Sequence, residues 1–474
     1  MSDLPAPLSV GFDLDMTLID TVPGFARTLE VLGAELGVEF PIDELTSKLG
    51  PPLEIMLEPY LAPEAIGPAG DRFRSLYPDT AIAPVPVLPG AHEALAAVRR
   101  HRGRTVVVTG KYPDNARRHQ AHLGLDVDVL EGWVWGVGKA EVLTREGCSI
   151  YVGDHVHDVE GALAAGVLSV SVPTGGCTRE ELLEAGTHVV LDSLEDFPTW
   201  LDEHLLAVRL SALEADLRDR GSVLVAYSGG ADSAFLLAAA VRALGPERVV
   251  AATGYSHSLP QVERDPARAF AESLGVEVVT PETHEMEREG YRANGADRCF
   301  FCKAELVEVL SSIAADRGLA GVATGTNADD AVAGFRPGIA AADERGAVAP
   351  LRDAGLTKAQ VREASHRWDL PTWDKPAAAC LSSRVAYGVE VTPHRLARVE
   401  RAEAAVRAAL PTARNLRVRD LGDRASVEVD AALLPLGGPV LALVLSGVRD
   451  AGFDEAAVDP RGFRSGSMNE SLAP

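Results

Sequence analysis

Before residue 160 the chain sets four carboxylates, a hydroxyl and an ammonium at the ends of short apolar runs. Val10-Gly11-Phe12 leads into Asp13-Leu14-Asp15-Met16-Thr17, a second run ends in Thr109-Gly110, Lys139 opens a helical stretch, and a third run ends in Gly153-Asp154-His155-Val156-His157-Asp158. Side chains two apart in an extended segment share a side, so Asp13 and Asp15 face together. Hard oxygen ligands suit Mg²⁺, the cation offsets charge on a phosphate, and the hydroxyl and ammonium can hold its oxygens. The set suits phosphoryl transfer through a carboxylate nucleophile. His155 and His157 alternate as metal ligands can, and equally as two variable residues between acidic ones.

A second group begins at Ser228-Gly229-Gly230-Ala231-Asp232-Ser233, between an apolar run and a helical pattern. Two glycines let the backbone approach a phosphate, the helix start offers free N–H groups, and the serines add donors, so these parts make an anion site. Gly138-Lys139 is not the end of a Walker A loop, because Trp133 stands where its first glycine belongs. The five cysteines are odd in number and too sparse for a disulfide scaffold. Cys148 and Cys177 read as structural, while Cys299-x-x-Cys302 and Cys380 read as thiols that could work. A nucleophilic thiol needs cationic neighbours, and Arg384 lies four residues beyond Cys380. Arg417 and Arg419 alternate on Leu-Arg-Val-Arg-Asp-Leu and so share one face, either as cations for a phosphate or as a solvated strand surface.

The elements that must position these groups follow an α/β rhythm. Val10–Leu14, Thr105–Thr109, Ile150–Gly153 and Val167–Val172 read as buried strands, each followed by turn residues and a helical pattern. Residues 21–83 are helical without strand runs and read as an insertion over that sheet. A second strand series comprises Val223–Tyr227, Val249–Gly254, Val276–Thr280 and Gly321–Gly325, interleaved with helices such as Ser233–Leu244 and Pro266–Leu274. The junction within Leu194–Arg220 has helical periodicity, which places a boundary near Glu203. After Thr392 a long Arg/Ala helix, two strands and another helix form a small α+β tail. The 474 residues are too many for one compact core, and 46% hydrophobic content is enough to build two or three. With 45 Lys+Arg against 69 Asp+Glu the net charge is −24, which argues against DNA, bulk RNA or an anionic membrane as partner. Met1–Leu8 has no basic and apolar leader pattern, and no uninterrupted apolar span of membrane length occurs, so a cytoplasmic protein is expected.

The first set of motifs, in this order over roughly residues 8–195, resembles the haloacid dehalogenase (HAD) superfamily of phosphatases. The resemblance implies that Asp13 is the nucleophile forming an aspartyl-phosphate and that Asp15 serves as acid and base. It also implies that Thr109 and Lys139 bind phosphate, that Asp13, Asp15, Asp154 and Asp158 make the Mg²⁺ site, and that the insertion is a cap. Met16 stands where that family usually has glycine. The second set resembles the PP-loop ATP pyrophosphatases. Its further motifs, Asp297–Lys303, Gly325–Asp330, Phe335–Gly338 and Lys375–Arg384, closely resemble the LarE family of ATP-dependent sacrificial sulfur transferases, over about residues 205–460. That resemblance implies ATP at Ser228, Gly229, Gly230, Asp232 and Ser233, with Asp232 the acidic partner of its Mg²⁺. It implies a pyridinium dicarboxylate mononucleotide substrate, met by Ser383, Arg384, Glu403, Arg417, Arg419 and Glu428, and Cys380 as the sulfur donor of a nickel-pincer nucleotide pathway. A homo-oligomer is implied too. Two alternatives stay open: a [4Fe–4S] cluster on Cys299, Cys302 and Cys380, as in some PP-loop thiolases, and an amidating ligase, with the first domain only binding a phosphorylated metabolite. The expected fold is two tandem doubly wound parallel-sheet domains, HAD-like over 1–203 and PP-loop over 204–391, with the small α+β domain over 392–474.

Overall fold

The computed structural model describes residues 8–47, 52–376, 379–464 and 467–468. Residues 1–7, which include most of the stretch read for a leader, and Ala377-Ala378 before the Cys380 loop lie outside the described residues. The chain divides into two compact units, one ending at Leu205 and one beginning at Leu206. The expected junction helix is Phe197–Arg220.

The first unit is a six-stranded sheet of β1 (Ser9–Phe12), β2 (Arg104–Val108), β3 (Val129–Glu131), β4 (Ile150–Gly153), β5 (Leu168–Ser171) and β6 (Val189–Val190). Every pairing is parallel, and the order β3-β2-β1-β4-β5-β6 is that of a doubly wound sheet. Alternate strand residues feed opposite cores. Val10, Phe12, Val107 and Val152 enter one cluster, and Val106, Val108 and Tyr151 enter another, so helices cover both faces. The expected insertion is the helices Val22–Leu36, Ile42–Ser47, Leu53–Leu57 and Pro63–Thr80. It has an apolar cluster of its own, including Leu29, Leu32, Leu57, Phe73 and Tyr77.

The second unit holds a parallel sheet of β7 (Val223–Ala226), β8 (Val249–Ala252), β9 (Glu277–Val279) and β10 (Val322–Thr324), in the order β10-β7-β8-β9. Val223 and Val225 face one cluster while Leu224 and Ala226 face the other. A separate sheet of β11 (Leu416–Asp420), β12 (Arg424–Val429) and β13 (Glu455–Val458) pairs β11 with β12 antiparallel and β12 with β13 parallel. The tail thus has three strands and not the expected two. Its helices Pro393–Ala409 and Gly438–Asp450 bury Val399, Val406, Val444 and Val448 in one cluster with Leu416, Val418 and Val427. Among the described residues no helix is long and apolar enough to cross a membrane.

Candidate active sites

In the first unit β1 lies between β2 and β4, so the chain leaves three adjacent strands at Asp13, Thr109 and Asp154 along one edge. Asp158 joins them from the first turn of helix Val156–Ala165. One oxygen each of Asp13, Asp154 and Asp158 lies within 4.8 Å of the others, and all three residues are buried. Lys139 Nζ donates to Asp13 at 2.7 Å, to Asp158 at 2.6 Å and to the Tyr151 hydroxyl at 2.9 Å. Thr17 donates to Asp154 at 2.8 Å. Burial pushes the Asp13 carboxyl up to about 7, with Asp158 and Asp15 adding like charge against the pull of Lys139. Burial, and then Asp158 and Asp13, hold Asp154 well above the carboxylate range. Three carboxylates against one ammonium leave two surplus negative charges when all are ionised. That donor set fits a hard divalent cation such as Mg²⁺.

The Asp15 side chain stands outside this cluster of carboxylate oxygens. Its carboxylate is captured by Lys111 at 2.5 Å, with the Thr109 hydroxyl at 3.4 Å. Lys111, absent from the sequence reading, lies two residues past Thr109, and the ring of Tyr77 from the insertion sits 4.9 Å from its ammonium. Burial opposes the Lys111 charge, but Asp15 outweighs it and keeps the ammonium above its usual value. His155 caps helix Val156–Ala165, accepting from His157 N–H, and His157 pairs with Glu160 at 2.9 Å. Neither histidine belongs to the acidic cluster. Met16 has φ +57°, the left-handed conformation that suits the glycine usual there. A cavity of about 520 Å³ opens over Asp13, between the sheet edge and the insertion.

In the second unit β7 runs into the Ser228–Ser233 turn and helix Ala231–Leu244. Gly229 has φ +72°, and a Cβ there would lie 2.8 Å from that of Ala267, so the turn requires glycine. The Ser233 hydroxyl lies 3.1 Å from that of Ser228, accepts from Ser228 N–H at 3.3 Å and donates to the Gly230 carbonyl at 3.2 Å. Lys375 donates to the Gly229 carbonyl at 2.8 Å and pairs with Glu263 at 2.6 Å. Asp232 has one buried carboxylate oxygen without a protein partner. Burial raises its carboxyl, with Asp330 adding to the rise against the pull of Lys358. An orphaned buried carboxylate oxygen at an anion-binding turn fits a cation that accompanies bound phosphates.

Around Cys380 the expected cations are tied to carboxylates. Arg384 pairs with Glu403 at 2.9 Å and donates to the carbonyls of Ala379 and Cys380, the latter at 2.8 Å. Arg419 pairs with Glu428 at 2.8 Å and donates to the Ser383 carbonyl at 3.1 Å. Arg298, which the sequence reading did not single out, donates to the Ser382 carbonyl at 2.7 Å. Three guanidiniums therefore grip the backbone of the loop that carries the thiol. Arg417 lies against the Phe463 ring at 5.4 Å. Burial, with Arg384 beside it, pulls its guanidinium down to about 10. A half-buried arginine crowded by Arg384 and Arg419 suits an anion nearby. Cys299 is exposed, and burial pushes the Cys302 thiol far up with Cys380, Glu285 and Cys299 adding to the rise. The three thiols are electrostatic neighbours.

Comparison with known proteins finds relatives of two kinds. The haloacid dehalogenase-like hydrolase model matches residues 10–162, and a second hydrolase-like model of that superfamily matches residues 138–197. The pyridinium-3,5-bisthiocarboxylic acid mononucleotide synthase of Lactiplantibacillus plantarum is 34% identical over 271 residues, covering 56% of this chain and 96% of its own. The chain belongs to the HAD-like hydrolases and to the LarE family. An uncharacterized protein of Synechocystis sp. is 36% identical over 56% of this chain and 99% of its own length. On the HAD side, the phosphoglycolate phosphatase of Rhodospirillum rubrum is 30% identical, covering 41% of this chain and 91% of its own.

Proposed function

We propose that this HAD–LarE fusion has two activities: Mg²⁺-dependent hydrolysis of a phosphate monoester in the first unit, and ATP-dependent sulfur transfer from Cys380 in the second. The observation that carries the first is the buried Asp13–Asp154–Asp158 cluster facing Lys139. In this reading an Asp13 oxygen attacks phosphorus and the ester P–O bond breaks. Asp15, oriented by Lys111, takes up a proton from solvent and passes it to the leaving oxygen. Asp15 then takes a proton from the water that attacks phosphorus, which releases inorganic phosphate and restores Asp13. Mg²⁺ held by Asp13, Asp154 and Asp158 would supply charge compensation for the phosphate. Lys139 keeps Asp13 aimed and partly neutralised.

For the second unit the supporting facts are the Ser228–Ser233 turn with Lys375 above it and the 34% identity to a synthase. ATP phosphates rest on the turn, and a substrate carboxylate attacks the α-phosphorus with loss of pyrophosphate. The Cys380 thiolate attacks the acyl-adenylate carbonyl and expels AMP. Removal of the Cys380 α-proton and cleavage of its Cβ–S bond then leave a thiocarboxylate on the substrate and dehydroalanine in the chain. Arg384, Arg419 and Arg298 hold the thiol loop in place, and Arg417 faces the substrate phosphate.

Two measurements test the pair. Asp13→Asn is expected to abolish Mg²⁺-dependent phosphate release by the full chain, and unchanged release sinks the first reading. Mass spectrometry after incubation with ATP, Mg²⁺ and the pyridinium dicarboxylate mononucleotide is expected to find one H₂S lost at Cys380. Product formed with intact Cys380, together with iron and brown absorption in anaerobically purified protein, would replace sacrifice by a cluster. Product that depends on ammonia and not on Cys380 would indicate a ligase.

A further inference from the structure

We propose that the cavity over Asp13 selects phosphate monoesters whose organic part carries a planar unsaturated ring, with Trp133 as its stacking surface. This rests on the phosphatase reading above and adds the substrate class. Three observations carry it. First, about 520 Å³ lies within the ~300–1,000 Å³ range of sites for drug-sized ligands, far more than a two-carbon acid fills. The walls are aromatic: Phe25 and Phe73 come from the insertion, and Tyr112, Trp133 and Trp135 from the loops after β2 and β3.

Second, Trp133 is 60% exposed and has φ +64°. A bulky side chain in left-handed backbone is strained, and here the fold gains little burial in return. The ring is nonetheless held from two sides, edge-on to Tyr112 with centroids 5.6 Å apart and under the Arg74 guanidinium at 5.2 Å. A positioned, strained and exposed indole is what a planar ligand stacks on.

Third, the charges leave no cation to spare for a second carboxylate on a small substrate. Among the described lining residues, Arg74 is matched by Glu54 and Asp71, Lys111 by Asp15, and Lys139 by Asp13 and Asp158. A substrate such as 2-phosphoglycolate would place its carboxylate against neutralised pairs. A ring places no such demand.

The test uses the full chain with Mg²⁺ and no ATP, and follows phosphate release from 5′-AMP, nicotinamide mononucleotide and p-nitrophenyl phosphate against 2-phosphoglycolate and glycerol 3-phosphate. The ring-bearing esters are expected to show kcat/KM about 10-fold higher or more, and Trp133→Ala to cut that ratio by about 10-fold through KM. Trp133→Phe, which keeps a ring, is expected to retain most of it. A ratio near one, or a ratio that Trp133→Ala leaves unchanged, overturns the proposal. If no ester is hydrolysed in an Asp13-dependent way, the phosphatase reading falls, and calorimetry with phenyl phosphate decides the ring site alone. Heat of binding that Trp133→Ala removes supports the site; heat that is absent or indifferent to Trp133 refutes it.

Discussion

Raising the pH of the metal-free protein from about 5 to about 8 is expected to destabilise the first unit, and Mg²⁺ is expected to suppress that loss. Burial lifts Asp13 from an ordinary 3.8 to about 7. Between those values the folded state keeps a proton that the unfolded chain has shed, so unfolding releases a proton and stability falls by about 1.4 kcal/mol per pH unit. From pH ~5 upward this amounts to about 3 kcal/mol. The contribution is fully present below pH ~4 and is lost as the pH rises through about 7. Asp154, held well above its usual value, has the same sign and extends the decline to higher pH. A divalent cation replaces those protons on the same oxygens, so its stabilisation should grow with pH. Hydrogen exchange of β1 and β4 amides, with EDTA and with Mg²⁺ and corrected for intrinsic rates, reads this unit separately. Asp154→Asn removes a like charge beside Asp13 and should make the slope in EDTA shallower while abolishing much of the Mg²⁺ effect. Protection in EDTA that is flat or rises with pH refutes the account of a charge-frustrated site.

The other expectations concern single contacts. Met16→Gly relieves a left-handed backbone and should stabilise the first unit by up to ~1 kcal/mol, whereas β-branched Met16→Val should cost ~1–2 kcal/mol; both are read from exchange of the same amides. Asp420 is fully buried between Arg398 at 2.7 Å and Arg395 at 3.0 Å, so removing both cations with Arg398→Met and Arg395→Met should cost ~3–5 kcal/mol in thermal unfolding, and adding Asp420→Asn should recover much of it. Lys375→Met removes the ammonium above the Gly229 carbonyl and should weaken ATP binding by roughly 10-fold or more in calorimetry, with phosphate release by the first unit unchanged.

Asp13, Thr109 and Asp154 could be picked out of the sequence because each sits where an apolar run stops, and a parallel sheet brings such stops to one edge, while Lys139 showed as the start of a helical pattern. Lys111 escaped because its partner Asp15 is 96 residues away and only the pairing of β1 with β2 joins them. The same holds around Cys380. The arginines and glutamates were visible, but not that Arg384 would be matched by Glu403 and Arg419 by Glu428, which takes a folded helix and a strand pairing. That His155 caps a helix was not legible, because a helix cap leaves no periodic trace. The edge strands β3 and β6 are three and two residues long, too short for alternation to register. Strand β13, Glu-Ala-Ala-Val, carries little β propensity and owes its form to pairing with β12.

The insertion over the first sheet keeps its apolar cluster apart from the one beneath the strands. The side chains that roof the cavity therefore answer to a different set of packing constraints from those that hold Asp13 and Lys139. Exchanging Phe25 or Phe73 alters the roof of the cavity without touching the strands β1 and β4 that present the carboxylates. The roof of the cavity and the edge that carries the carboxylates are thus mechanically separable parts of this unit.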